Sequence, residues 1–201
     1  MLGWLKGRSE LRRRAEELYG RIVAQARQPD LYLSCGVPDT MDGRLEMVLL
    51  HTVLVLERLK TAGAEGQRLG QRLMEVLVSD MDDALRRIGI GDDGVAMRIG
   101  RLAGALSERA RDYGLGFADV GRGDDRTGGA ATLEAALMDH VYRAPDAAVA
   151  SEVWPLVRAL AAYVRRARET LGTLPTTDVL AARVVFPMEI AMFVDKAEAR
   201  S

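Results

Sequence analysis

The chain predicts an all-α fold, a single globular helical domain of about six to seven helices with a central apolar helix and a Gly-rich surface loop. Three observations carry that expectation. Apolar residues recur at spacings of three and four in segment after segment, the period of a one-faced helix. No segment shows the alternating polarity of a half-buried strand. From Met47 to Leu56 ten consecutive residues carry no formal charge, so that helix has no polar face to give to water and must be surrounded by others.

Taken in order, Leu11, Ala15, Leu18, Ile22 and Ala26 form one stripe and predict a first helix over 9–27. Gln28 to Pro38 holds two prolines, Cys35 and Gly36, and reads as an extended connection. Pro38 disfavours helix at the residue before it, and Asp39 is a good N-cap, so the central helix should start there and run to about Thr61. Gly63 supplies the left-handed stop. A third helix over 67–88 aligns Leu69, Leu73, Val76, Leu77, Met81 and Leu85 and ends at Gly89. A fourth starts near Asp93 and reaches about Asp112, with Val95, Ile99, Leu102 and Leu106 inward. Gly114 to Ala130 contains six glycines and no apolar period, which predicts a surface loop. Thr132 caps a fifth helix carrying Leu133, Leu137 and Val141. A sixth runs from about Asp146 to Thr170 around Pro155, Thr177 or Asp178 caps a short seventh, and Val184 to Pro187 is an extended return.

Composition narrows the classes of function. The 201 residues, 48% hydrophobic and 28% charged, fit one well-buried domain. With 28 basic and 29 acidic residues the chain has no globally positive surface, so no specific DNA binding is expected. Only Lys6, Lys60 and Lys196 are lysines, the other 25 cations are arginines and Asn is absent, a bias of GC-rich bacterial coding. One cysteine, Cys35, cannot form an internal disulfide, and the chain does not open on a secretory signal, so a cytoplasmic setting is expected. The longest uncharged apolar run falls well short of the roughly 20 residues that cross a bilayer. Membrane contact is therefore expected to be peripheral, at the inner face of the cytoplasmic membrane, or through a client.

Catalytic and metal chemistry find little support. His51 follows Glu46 by five residues rather than the one-turn spacing of paired ligands, and neither His-x-x-x-His nor Glu-x-x-His occurs. No Gly-rich phosphate loop follows a strand. The expectation is no enzyme, no metal and no cofactor, the rival being a small all-α enzyme or haem-handling protein using His51 or His140. Arg12, Arg13 and Arg14 lie in a stretch of 28 residues with seven basic and three acidic side chains, a candidate for approach to a membrane surface or a ribosome.

One segment is more specific than composition. Asp39-Thr40-x-Asp42-Gly43-Arg44-x-Glu46-Met47 followed by Leu-Leu-His51, then Ser79-Asp80-Met81-Asp82 and Leu85-Arg86-x-Ile88-Gly89-Ile90-Gly91-Asp92, resembles the ubiquinol–cytochrome c chaperone family. The resemblance covers about 29–142, flanked by the basic helix 9–27 and C-terminal helices over 146–183, all in one domain, 1–201. Past Gly94 the chain departs from the family: Val95-Ala96-Met97-Arg98 stands for a Pro and basic opening, and Leu106-Ser107-Glu108-Arg109 for Phe-Tyr-Gly-Arg. The resemblance implies a chaperone that binds newly synthesised cytochrome b and supports assembly of respiratory complex III without ATP. It makes Asp39, Asp42, Arg44, Glu46, His51, Asp80, Asp82, Arg86 and Asp92 candidates for client binding or for structural motifs. Within that set, Arg44 held by Asp80 and Asp82 would clasp the start of the central helix to the end of the next.

Overall fold

The computed structural model describes residues 2–87, 89, 91–118, 132–144, 146–188 and 190, without the side chains of 2–8, 95, 96 and 118. Among these residues there are eight α-helices, one π-helical turn and no strand: α1 Leu2–Ala26, α2 Pro29–Leu33, α3 Met41–Lys60, α4 Gly63–Arg87, α5 Asp92–Ala118, α6 Leu133–Leu137, the π turn Met138–Tyr142, α7 Ala147–Thr173 and α8 Thr176–Leu180. The all-α expectation holds.

The apolar helix is the centre of the bundle. α3 packs against α1, α4, α5, α7 and the π turn, and Met47, Leu49, Leu50, Val53, Leu54 and Val55 are all buried. A helix without a polar face reaches that state only when neighbours cover every side. α1 lies on α3 and α4 through Ala15, Leu18, Ile22 and Ala26, and α4 returns Leu69, Leu73 and Leu77 to the same core. The second half of α7 contributes Val157, Leu160, Tyr163, Val164 and Leu171 from the other side.

Local stop and start signals behave as their chemistry requires. Gly63 and Gly89 have φ of 70° and 84°, where a side chain would be strained. Thr132 accepts from the Ala135 amide, and Asp146 from those of Ala148 and Val149, so both cap the helices they precede. Val184 and Phe186 are buried in the non-helical return.

Several expectations change. The connection 28–38 is not wholly extended, because Pro29 opens α2, where a missing N–H costs nothing; Tyr32 Oη then donates to the Ala26 carbonyl at 2.6 Å. The cap of α3 is Thr40, accepting from the Gly43 amide, rather than Asp39. α5 continues to Ala118, so the Gly-rich loop does not begin at Gly114; a Cβ on Gly116 would overlap the backbone of Leu133, which makes this glycine a close-packing position. The rest of that loop, 119–131, lies outside the described residues. α8 is entered from Pro175 without a side-chain cap, Asp178 instead pairing with Arg183 at 2.6 Å.

Candidate functional site

The motif around α3 builds a helix entry that ties four segments together. Asp39 takes the Arg44 guanidinium at 2.6 Å, and that guanidinium also lies over the Tyr32 ring, 5.8 Å from its centre. Thr40 caps. A Cβ on Gly43 would overlap the Pro38 carbonyl oxygen, so glycine lets the incoming chain lie directly on the first turn. Asp42 and Glu46, one turn apart, both face Arg143 at 3.0 and 2.9 Å. Arg143 is placed by the π turn, which it ends in a left-handed conformation with φ of 49° and its amide on the Met138 carbonyl.

Glu46 is the hub. Its carboxylate is 3% exposed and receives both arms of the Arg109 guanidinium, itself 7% exposed, with Arg109 Nε on Oε2 at 2.6 Å. Burial works to discharge Arg109, and the Glu46 carboxylate more than offsets it, holding the guanidinium above its ordinary pKa. Beside the pair, the Tyr113 hydroxyl is buried without a hydrogen-bond partner among the described residues, and its ring meets His140 edge-on. His140 Nε2 lies 2.9 Å from Asp112. Burial raises Asp112, but hydrogen bonds from His140 and Arg111 outweigh it and hold the carboxyl below its usual range.

His51 belongs to a second buried network. Nδ1 sits 2.6 Å from the Met47 carbonyl and Nε2 sits 2.6 Å from Tyr163 Oη. A carbonyl can only accept, so Nδ1 carries the proton and Nε2 accepts from the tyrosine. Gln25 Nε2 donates to Tyr163 Oη at 2.9 Å and to the Pro187 carbonyl at 3.2 Å. Loss of hydration pushes the His51 pKa down to about 4, so the ring is neutral. With both nitrogens engaged in the core it offers nothing to a haem iron or a substrate, which corrects the rival reading for His51. The chain runs in one direction, Gln25 to Tyr163 to His51 to Met47, and fastens α1, α3, α7 and the return.

The clasp expected of Arg44 with Asp80 and Asp82 does not form. Arg44 keeps 57% of its side chain in water and uses Asp39. Asp80 accepts from Tyr19 Oη at 2.7 Å, while Asp82 and Asp92 hold Arg86 at 2.7 and 2.5 Å. The buried clasp of this region is Glu46–Arg109. Its partner is the last residue of Leu106-Ser107-Glu108-Arg109, which in the sequence carries no local sign that sets it apart from the other arginines of α5. Arg143 had no signal at all, since an arginine after a π turn looks like any surface arginine. Cys35 is buried, and burial pushes its thiol up to about 12. The basic triplet of α1 is paired: Arg12 with Glu16 at 2.8 Å, Arg13 with Glu10 and Glu17, Arg14 with Glu65 at 2.9 Å.

A groove opens where α3, α4 and α5 diverge, a cavity of about 490 Å³. Val53, Leu56, Met74, Leu106, Ala110 and Phe117 make its walls, and Glu57, Lys60, Gln67, Gln71 and Ser107 lie along it. Gly70 approaches Leu56 closely, whereas a Cβ on Gly114 would meet nothing, so the α5 wall is smooth where the groove is open. Among the described residues no group of three His, Cys, Asp or Glu side chains could hold a metal ion.

Comparison with known proteins agrees with this architecture. The crystal structure of the Cbp3 homolog from Brucella abortus superposes with a TM-score of 0.73 at 34% sequence identity, covering 94% of this chain and 97% of that one. A search of curated proteins found no match. A family model described as ubiquinol–cytochrome c chaperone matches residues 33–186, which takes in the α3 entry motif, the groove, the Glu46 network and the His51–Tyr163 pair. The chain belongs to the ubiquinol–cytochrome c chaperone family.

Proposed function

We propose that this protein binds newly synthesised cytochrome b in the bacterial cytoplasm and supports assembly of respiratory complex III, receiving an apolar segment of the client in the groove between α3, α4 and α5. The groove is the observation that carries the reading. Its walls are apolar and its edges polar, the arrangement that lets an apolar helix dock while the rim stays wet. It needs no nucleotide, because a shallow site of this kind releases its occupant by modest affinity. Family membership supplies the client class; the fold supplies a rigid floor, since Val53 and Leu56 belong to the helix most completely enclosed by the bundle.

In this reading the candidate motif residues act mainly on the scaffold. Asp39, Thr40, Gly43 and Arg44 fix the entry of α3, Glu46 with Arg109 fixes α5 against it, and the Asp82–Arg86–Asp92 set fixes the α4–α5 turn, so the angle between the groove walls is set from both ends. A photoreactive residue at Gln71 or Ser107 should crosslink to cytochrome b in cells making complex III, whereas one at Arg166, an exposed α7 position outside the groove, should not. Deleting the gene should lower cytochrome b and assembled complex III while other respiratory complexes persist. Normal cytochrome b in a clean deletion removes the assignment; normal dependence with no crosslink from the groove removes only the groove.

A further inference from the structure

The groove between α3, α4 and α5 has a neighbour. A second cavity, about 440 Å³, lies between α3 and the end of α7, with Leu54, Arg58, Thr61, Leu171 and Thr176 around it. α3 is the ridge between the two. Val53, Leu56 and Lys60 face the groove, Leu54, Arg58 and Thr61 face the second cavity, and Glu57 lines both. The helical period sets Glu57 midway between those two sets of side chains, on the crest of the ridge.

One side chain crosses that crest. Arg168 of α7 lines the second cavity and donates to both carboxylate oxygens of Glu57, from Nε at 3.1 and 3.2 Å and from Nη2 at 2.9 Å. Its guanidinium carbon lies 4.6 Å from the centre of the Phe117 ring, and Phe117 is a wall of the groove. Side chains from α7, α3 and α5 thus bar the way from one cavity into the other. The neighbouring arginines of α7 make no such crossing: Arg165 pairs with Glu134 and Arg166 with Glu169, and neither lines these two cavities. The bar also differs from the wall beside it. Arg58 is fixed on the Leu171 and Leu174 carbonyls at 3.1 and 2.8 Å, whereas Arg168 and Glu57 are 46% and 34% exposed, so parting them returns both charges to water at small cost.

Length makes the bar consequential. From Leu106 to Phe117 the α5 wall rises through about 16 Å, roughly half of an apolar helix that spans a bilayer, so a client helix laid along the groove reaches the bar before it ends. We infer that Arg168, latched on Glu57 and Phe117, determines the length of apolar segment the groove accepts: closed, it admits about three helical turns, and a longer segment displaces it and runs on into the second cavity. The inference rests on the groove being the client site. An exposed ion pair and a cation–π contact together favour the closed state by about tenfold. That bias is large enough to select a short segment and small enough for a long one to override by burying a few more methylenes.

The test uses the full chain and straight-chain alkyl maltosides of stepped chain length, kept below micelle formation and measured by titration calorimetry. In the parent each added methylene should tighten binding about fourfold until the chain fills the groove, after which the gain should stop. In Arg168→Ala the gain should continue for two or more further methylenes, so the longest chains bind about tenfold or more tighter than to the parent and the short ones bind alike. Its melting curve should stay near the parent's, the pair being partly exposed. Gly172 lines the second cavity and a Cβ on it would meet nothing, so Gly172→Leu added to Arg168→Ala should fill that space and restore the limit. Gly114→Leu, in the open wall of the groove, should weaken binding of every chain length. A parent without a limit, an Arg168→Ala variant that keeps the parent's limit, or a double variant that takes long chains as well as the single one overturns the inference and leaves the groove. Absence of alkyl binding, or binding that Gly114→Leu does not touch, removes the groove and the inference together, while the crosslink to cytochrome b decides the client separately.

Discussion

Replacing Arg109 by Ala tests whether Glu46 is the hub of the α3 entry. The substitution removes both hydrogen bonds from a carboxylate that is 3% exposed, leaving it Arg143 at 2.9 Å from a side chain that is half in water. Breaking a buried pair by removing one partner costs about 3–5 kcal/mol, because the other charge stays desolvated. The remaining Arg143 contact places the expected loss near the lower end, about 3 kcal/mol. For a domain of this size that lowers Tm by roughly 6–12 °C. Urea denaturation followed by far-UV circular dichroism gives the free energy directly, since helix dominates the signal. Replacing both partners, Glu46→Leu with Arg109→Met, should recover much of the loss by removing the stranded charge. Arg44→Ala, which breaks an exposed pair, should leave the denaturation midpoint near the parent's. If Arg109→Ala matches the parent, or if Arg44→Ala costs as much, the assignment of the buried clasp is wrong.

His51 should make the fold acid-sensitive in a defined window. Its pKa is about 4 folded against about 6.5 unfolded, so the unfolded chain binds the extra proton and stability present above pH 6.5 is lost as pH falls toward 4. The amount is about 3 kcal/mol, and His51→Gln should flatten that part of a stability-against-pH curve. Gly43→Ala should destabilise by about 1–3 kcal/mol in chemical denaturation, because a Cβ would overlap the Pro38 carbonyl and overpacking outweighs the gain in helix propensity; a stabilised variant would show that the connection moves away freely. Cys35 should resist a thiol reagent at pH 8 in the folded chain and react at once in denaturant, because its thiol is buried and titrates near 12; rapid labelling of the native protein would show that α2 opens.

Much of the fold was legible because helices announce themselves locally. The stripe of α1, the unbroken apolar run of α3, the cap at Thr132, the start of α7 beside Asp146 and the helix-ending glycines Gly63 and Gly89 are all decided by residues within a turn or two, and each stands where it was expected. The misses are local competitions with a close alternative. Thr40 displaced Asp39 as the cap because Asp39 found Arg44, and Pro29 started a short helix because proline suits a first turn as well as an extended strand.

What the amino-acid sequence determined by itself, then, is which segments are helical, that α3 must be enclosed, and which family the motif at its start belongs to. What only the tertiary structure decided is pairing. Glu46 meets Arg109 across 63 residues and Arg143 across 97, and His51 meets Tyr163 across 112. In a chain with 25 arginines and 29 acidic residues, the chemistry of each group allows dozens of partners at equal local merit. The choice among them falls to the packing of the helices, which buries Glu46 and leaves Arg44 in water, opens a groove between α3, α4 and α5, and buries the second half of α7 more fully than the first.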